Sequence, residues 1–180
     1  METLDAILNL DKGASTKVFD KGAVLQRAGG TYSTRSFFVK RGLLRSFTID
    51  EKGKEHIFMF ASQGWIIADI ESQEFNKPTA LYIDALEDSE VVVFDRTCFK
   101  VESLTDVQLR ENNHLLSRRV AVLQRRVIML MSASAKQRYE AFLKTFPEIP
   151  NRVPQKMIAS YLGITPEALS KIRSEYLRSK

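Results

Sequence analysis

The chain has 180 residues, and its 27 lysines and arginines against 22 aspartates and glutamates give it a net charge of +5. No apolar stretch approaches the roughly 18–20 residues of a membrane helix, and no basic-then-apolar secretion signal follows Met1. The single Cys98 excludes an internal disulfide framework, an all-cysteine zinc site and an iron–sulfur cluster held by this chain's own thiolates. The composition indicates a globular protein with no membrane partner, which we expect in the cytoplasm.

The excess positive charge is confined to one end of the chain. Residues 1–131 contain 18 basic and 18 acidic side chains, whereas residues 132–180 contain nine basic and four acidic ones. A neutral module joined to a basic module is typical of proteins that bind a polyanion through the basic module. Lysines that only keep the C-terminal end soluble are the alternative explanation.

The region from Lys17 to about Phe99 predicts a β domain. Short runs of β-branched and aromatic residues alternate there with glycine-containing turns. The clearest hairpin pairs residues 43–49 with 56–60 across the turn at 50–53. Many short strands at regular spacing predict a sandwich or a jelly-roll-like β-roll, with a short helix within residues 66–75.

A leucine repeat follows the strands. Residues 106–131 contain no glycine or proline, and leucine recurs at every seventh position with valine or asparagine between the leucines. This pattern predicts one long helix and a parallel two-stranded coiled coil between two copies of the chain, whose register the buried asparagine fixes. A long core helix packed on its own β domain is the alternative, because further apolar residues widen the same face. The predicted dimerisation residues are Leu109, Asn113, Leu116, Val120, Leu123, Val127 and Leu130.

Residues 155–173 have the spacing of a helix-turn-helix. Ala159 provides the small side chain that lets the second helix cross close to the first, and Gly163 provides the positive φ of the tight turn. Thr165 is the predicted N-cap of the second helix, with Pro166 at its first position. The apolar residues expected to hold the two helices together are Ile158, Leu162, Ile164, Leu169 and Ile172. An αα-hairpin that only packs is the alternative.

The second helix of such a motif presents its outward N-terminal residues to base edges in the major groove. Lysine can donate to guanine and glutamate can accept from cytosine, while residues at the start of the first helix contact phosphates. We therefore expect double-stranded DNA as a partner. The candidate DNA-binding residues are Gln155, Lys156, Thr165, Pro166, Glu167, Ser170, Lys171 and Arg173.

The sequence contains no catalytic or metal-binding constellation. His56 and His114 are the only histidines, too few for a cupin-type metal enzyme, and no nucleophile triad or phosphate loop is present. We therefore expect a protein that is not an enzyme and has no metal or cofactor. A dimeric ligand-sensing module or regulatory subunit without specific DNA binding is the alternative function.

The order of these elements resembles the Crp/Fnr (catabolite activator) family of bacterial transcription regulators. The most family-like stretches are residues 37–42, 63–69, 82–86 and 158–173. The resemblance implies an α+β fold with a β-roll effector domain over 1–103, a dimerisation helix over 104–131 and a helix-turn-helix domain over 132–180. It further implies a homodimer that reads a near-palindromic DNA site, a small-molecule effector for the β-roll, and RNA polymerase as a candidate partner.

The effector cassette departs from the cyclic-nucleotide-binding members of that family. Those members hold the ribose with a Gly-Glu pair and the cyclic phosphate with an Arg-Ser pair about eleven residues later. The corresponding pairs here are Ala68-Asp69 and Thr79-Ala80, so the phosphate lacks its arginine, and burying an unpaired charge costs several kcal/mol. We expect a ligand other than cyclic AMP, or none, and Asp69 is alternatively a surface or turn carboxylate. The implied effector-pocket residues are Gly64, Ala68, Asp69, Thr79 and Ala80.

Overall fold

The computed structural model of the protein describes residues 13–31, 33–95 and 105–178. The chain divides into two compact units, Met1–His114 and Leu115–Lys180. Cys98 and the expected domain boundary between residues 103 and 104 lie outside the described residues.

The first unit has two four-stranded antiparallel sheets. Their orders are β1-β8-β3-β6 and β2-β7-β4-β5. The elements are β1 (Ser15–Phe19), β2 (Val24–Gln26), β3 (Arg35–Arg41), β4 (Leu43–Ile49), β5 (Glu55–Ser62), β6 (Ile66–Ile67), α1 (Ile70–Phe75), β7 (Tyr82–Ala85) and β8 (Ser89–Asp95). The α+β fold class with an N-terminal β-roll is therefore confirmed. The helix expected within residues 66–75 occupies only the last part of that segment, because a two-residue strand precedes it.

An apolar core joins the two sheets. Side chains alternate between the two faces of a strand, so every second residue of the central strands points inward. Burying a valine, leucine, isoleucine or phenylalanine side chain contributes about 1.5–3 kcal/mol. The buried cluster consists of Phe37, Val39, Leu44, Ala61, Ile67, Ile83, Ala85 and Val91.

Two tight turns fix the strand connections. The Asp50 carboxylate accepts hydrogen bonds from the backbone N–H groups of Lys52 and Lys54, both at 2.9 Å, which closes the predicted β4–β5 hairpin. Gly42, between β3 and β4, has φ +105°, and a Cβ at this position would collide with the side chain of Ser89. The β3–β4 connection therefore admits no side chain at residue 42.

The remaining elements are helices. They are α2 (Asp106–Ser132), α3 (Ala135–Thr145), a 3₁₀ turn (Ile149–Asn151), α4 (Gln155–Leu162) and α5 (Pro166–Arg178). The predicted long helix is thus present, and the boundary between the two units falls inside it. No helix among the described residues is long and apolar enough to cross a membrane.

A capping box starts α3. The Ser134 hydroxyl accepts from the Gln137 backbone N–H at 3.3 Å, and the Gln137 side chain accepts from the Ser134 N–H at 2.9 Å. These reciprocal bonds satisfy two backbone donors that a helix start leaves without partners. The main chain therefore ends one helix at Ser132 and begins an independent one at Ala135.

An aromatic and aliphatic core holds α3, α4 and α5 together. Phe142 lies 5.6 Å from Phe146 and 5.4 Å from Tyr161 between ring centres. The buried residues of this core are Tyr139, Phe142, Phe146, Ile149, Val153, Ile158, Ala159, Leu162, Leu169 and Ile172.

Candidate functional site

The turn between α4 and α5 has the geometry that the sequence predicts. Gly163 adopts φ +66°, and its N–H donates to the Ser160 carbonyl at 3.1 Å. The next N–H, that of Ile164, donates to the Ala159 carbonyl at 3.0 Å. A left-handed residue with such back-directed bonds ends the helix and turns the chain sharply.

Close packing lets α5 cross α4. Ala159 is buried at the middle of α4, where its small side chain allows a second helix to cross close to the first. The flanking apolar side chains predicted to hold the helices together are buried as well, except for the half-buried Ile164. The buried ones are Ile158, Leu162, Leu169 and Ile172. The second helix is therefore held firmly on the first.

The start of α5 is capped as predicted. The Thr165 hydroxyl oxygen accepts from the Ala168 N–H at 3.2 Å, and Pro166 is the first helical residue. Hydrogen bonds from its own backbone N–H and from the Thr165 hydroxyl lower the pKa of Glu167. Its carboxylate is thus ionised at neutral pH and tied to the helix N-terminus, where negative charge is favourable.

The candidate DNA-binding residues lie on the outside of this motif. On α5, Glu167 and Lys171 are exposed one helical turn apart, and Arg173 is half-buried. Gln155 and Lys156 are exposed at the start of α4. The remaining candidates, Thr165, Pro166 and Ser170, are also exposed. Their role in DNA binding stays a prediction.

Asp69, at the centre of the candidate effector cassette, is buried. Only 2% of its surface is exposed, so the alternative of a surface carboxylate is wrong. One carboxylate oxygen accepts from the Ser72 N–H at 3.2 Å and caps α1. The other accepts from the N–H groups of Ala80 at 2.9 Å and Leu81 at 3.2 Å. Asp69 thereby ties the start of α1 to the segment that leads into β7.

Further hydrogen bonds close the same loop. The Thr79 hydroxyl donates to the Arg27 carbonyl at 2.8 Å, and the Ser72 hydroxyl donates to the Lys77 carbonyl at 2.7 Å. Four of the five effector-pocket residues, those at 68–69 and 79–80, are therefore neighbours. Gly64 lies apart in the β5–β6 turn, where its N–H donates to the Val39 carbonyl.

The β-roll is similar to a known protein family. The family model of the cyclic nucleotide-binding domain matches residues 16–103. Over these residues the β-roll is similar to cyclic nucleotide-binding domains. This family name describes the fold of the domain and leaves its ligand open.

Curated relatives cover both units. The "Anaerobic regulatory protein" of Haemophilus influenzae is 24% identical over 176 residues, which cover 89% of this chain and 66% of that protein. The "Electron transport regulator A" of Shewanella oneidensis is 25% identical over 177 residues, covering 91% of this chain and 69% of that protein. The chain thus spans about two thirds of the length of the curated relatives it matches.

Solved structures show the same arrangement of elements. A CRP/FNR-family transcriptional regulator of Thermus thermophilus is similar with a TM-score of 0.71 at 21% identity, over 92% of this chain and 87% of that one. FixK2 of Bradyrhizobium japonicum has a TM-score of 0.72 at 19% identity, over 92% and 85% of the two chains. The chain has the Crp/Fnr fold, and the resemblance inferred from its sequence is confirmed.

Two cations of the β-roll that could be considered for a phosphate, Lys77 and Arg45, are paired with carboxylates. Lys77 pairs with Glu71 at 3.4 Å on the surface. The buried Arg45 donates two hydrogen bonds to Asp84, at 2.8 and 2.9 Å, and two to Glu55, at 2.6 and 3.4 Å. Burial lowers the pKa of Arg45, but the bonds and charges of these two carboxylates outweigh it and raise the pKa overall. Among the described residues, no group of three or more His, Cys, Asp and Glu could hold a metal.

Sequence reasoning missed Arg126 of α2. Its guanidinium lies 3.9 Å from the ring centre of Tyr161 and donates to the Tyr161 carbonyl at 3.2 Å. Burial lowers the pKa of Arg126 and raises that of Tyr161. The residue is at a g position of the heptad, where a charged side chain is expected to pair with the other helix of a coiled coil, so its spacing gave no indication of a contact with α4.

Substitution of Gly163 tests the turn. A Cβ at this position would meet Arg138 at 3.5 Å and Leu130 at 3.6 Å, which is ordinary contact, so backbone conformation selects glycine here. Gly163→Ala should therefore lower the free energy of unfolding by about 1–2 kcal/mol. Gly163→Asn should cost less, because asparagine tolerates the left-handed region. Urea denaturation followed by circular dichroism measures both, and an equal loss for the two variants would contradict a conformational cause.

Proposed function

We propose that the protein is a homodimeric transcription regulator that binds a near-palindromic double-stranded DNA site. The supporting observation is the exposed N-terminal face of α5, where Glu167 and Lys171 project one turn apart from a capped and firmly packed helix. A rigid helix whose first turns face outward suits insertion into the major groove. The net charge of +5 on residues 132–180 suits a partner with a phosphate backbone.

The dimer in this proposal forms through α2. The heptad positions Val120 and Val127 are 62% and 54% exposed in the single chain, and Leu123 and Leu130 are more than 40% exposed. An apolar strip of this kind on a charged helix is costly in water and is covered when two copies pair. Asn113 is exposed on the same helix, and Leu109 and Leu116 are half-buried. Two paired copies would carry two α5 helices, one for each half-site.

The β-roll would be a sensor whose ligand is not cyclic AMP. Both carboxylate oxygens of Asp69 already accept backbone N–H groups, so a ribose hydroxyl would compete with bonds that hold the cassette closed. Lys77 is paired with Glu71 on the surface and Arg45 with Asp84 and Glu55, so neither matches the phosphate-binding arginine of the family's cassette. The proposed regulator works in the cytoplasm, with RNA polymerase as its candidate partner at the promoter, and without catalytic activity.

Two lysine variants test the DNA-binding proposal. The wild type should select DNA fragments from a random pool, and the affinity should fall steeply with salt as counterions are released from phosphates. Lys171→Ala should relax the preference at one base position of each half-site, at a cost of about 1–3 kcal/mol. Lys156→Ala should weaken all sequences about equally and reduce the salt slope.

Gel retardation with the selected and scrambled fragments measures these effects. A wild type that retains no fragment, or whose affinity ignores salt, would support the dimeric ligand-sensing module instead. Equal losses on selected and scrambled DNA for the Lys171 variant would contradict a base-reading role for that residue.

A further inference from the structure

We propose that Arg126 is a positioning residue that fixes the angle between α2 and the helix-turn-helix, and so sets the half-site spacing that the protein accepts. The inference rests on the proposed function and deepens it. The geometry that carries it is the stacking of Arg126 on Tyr161 together with its hydrogen bond to the carboxyl end of α4.

Arg126 contacts Tyr161 in two ways, through its side-chain ring and through its backbone carbonyl. The guanidinium plane lies over the Tyr161 ring at 3.9 Å, and Nη2 donates to the Tyr161 backbone oxygen at 3.2 Å. The cation–π contact holds Arg126 against the face of the ring, whereas the hydrogen bond fixes it relative to the end of α4. Arginine suits this arrangement because its planar, always charged group can stack and donate at once.

The acceptor lies where α4 favours a cation. The last four carbonyl groups of a helix accept no hydrogen bond from the helix itself. The C-terminal end of the helix dipole therefore carries a partial negative charge. Tyr161 is the penultimate residue of α4, and the Ala159 and Ser160 carbonyls accept from the turn that follows. Arg126 thus supplies a side-chain donor at this helix end from α2.

The receiving side chain is itself fixed. The Tyr161 ring packs against Phe142 of α3, at 5.4 Å between ring centres, and against Phe146, which follows α3, at 6.0 Å. One turn beyond Arg126 on α2, a methyl carbon of Leu130 lies 3.6 Å from the Cβ position of Gly163. Arg126 therefore contacts the end of α4, and Leu130, one turn further along α2, lies close to the turn into α5.

A dimer couples this angle to DNA geometry. If each α5 is held rigidly on its α2, the two recognition helices keep one separation, and only one half-site spacing places both in the major groove. Without the Arg126 contact each motif can tilt, and several spacings become acceptable at similar affinity. The single motif still binds a single half-site as before, because its own packing and its exposed face are unchanged.

The test compares Arg126→Gln and Arg126→Lys with Arg125→Gln, which removes the same charge from an exposed neighbouring position. The DNA probes are the palindrome selected by the wild type, versions with the spacer changed in one-base-pair steps, and one isolated half-site. Wild type and Arg125→Gln should prefer one spacing by about tenfold or more, which corresponds to 1.4 kcal/mol. Arg126→Gln should lower this preference to about threefold or less while binding the half-site within about twofold of wild type.

Arg126→Lys should lie between the two, because lysine keeps the charge but loses the stacked, forked donor. An unchanged spacing preference in Arg126→Gln would overturn the proposal, and so would an equal loss on every probe including the half-site. That second result would mean a general structural role.

Hydrogen exchange without DNA separates failure of this inference from failure of the proposed function. Residues 161–165 should exchange faster in Arg126→Gln than in Arg125→Gln, with thermal unfolding of the two variants nearly equal. Should the wild type select no DNA, the proposed function fails, and this measurement alone decides whether Arg126 holds α4. Identical exchange in the two variants would overturn the inference.

Discussion

Replacing Leu123 and Val127 with glutamate is expected to convert dimers into monomers and to weaken binding to the palindromic site about a thousandfold or more. Each exposed side chain would lose about 1.5–3 kcal/mol of burial per copy, and charges would repel across the seam. A loss of about 4 kcal/mol in dimer stability already corresponds to a factor of about a thousand. Sedimentation velocity measures the mass, and gel retardation measures the binding.

Val122→Glu together with Ile128→Glu is the matched control. These residues are exposed apolar positions of the same helix, but they lie off the strip formed by the a and d positions. The control should remain dimeric. If the control dissociates and the Leu123/Val127 variant stays dimeric, the dimer uses a different face of α2 and the heptad interpretation fails.

Asp69→Ala is expected to lower the free energy of unfolding of the β-roll by about 3 kcal/mol. The substitution removes the side-chain acceptor and leaves the N–H groups of Ser72, Ala80 and Leu81 without this partner. A buried N–H group that loses its acceptor destabilises the protein by more than the hydrogen bond had stabilised it, because no water molecule replaces the carboxylate. Urea denaturation measures the change.

Glu71→Ala is the control for the lost charge. Glu71 is exposed on the same helix, and its pair with Lys77 is a surface salt bridge of the kind that contributes about 0–1 kcal/mol. Asp69→Asn should be intermediate in stability, since an amide keeps one acceptor but directs its NH₂ group against a backbone donor. Equal stabilities of the Asp69 and Glu71 alanine variants would mean that the carboxylate does not hold the loop.

Local spacing made the C-terminal motif predictable. Ala159, Gly163 and Thr165 each meet a requirement that involves residues only a few positions away, so the turn, the cap and the first residue of α5 could be read from sequence. The heptad likewise defined the length of α2, which ends within one residue of the expected position. The β4–β5 hairpin was predictable for the same reason, since Asp50 and Gly53 act within one turn.

Contacts between distant segments could not be read in this way. Asp69 is buried because the segment at residues 80–81 returns to it, and nothing in its own neighbourhood specifies that return. The burial of Arg45 could not be predicted for the same reason. Its partner Asp84 lies on a different strand, and only this pairing neutralises the buried charge. The contact of Arg126 with Tyr161 depends on the packing of α4 against α3, which the sequence around Arg126 does not specify. In all three cases the long-range partner decides the role of a charged side chain.

If the protein binds DNA as proposed, the capping box at Ser134 affects how its preferred DNA site could change. Because α2 and α3 are terminated separately, the backbone between them can alter its angle without breaking a helical hydrogen bond. The stiffness of the joint then comes from side chains rather than from the main chain. In the proposed dimer, single substitutions in those side chains would alter the preferred half-site spacing while both helices, and the exposed face of α5, stay as they are.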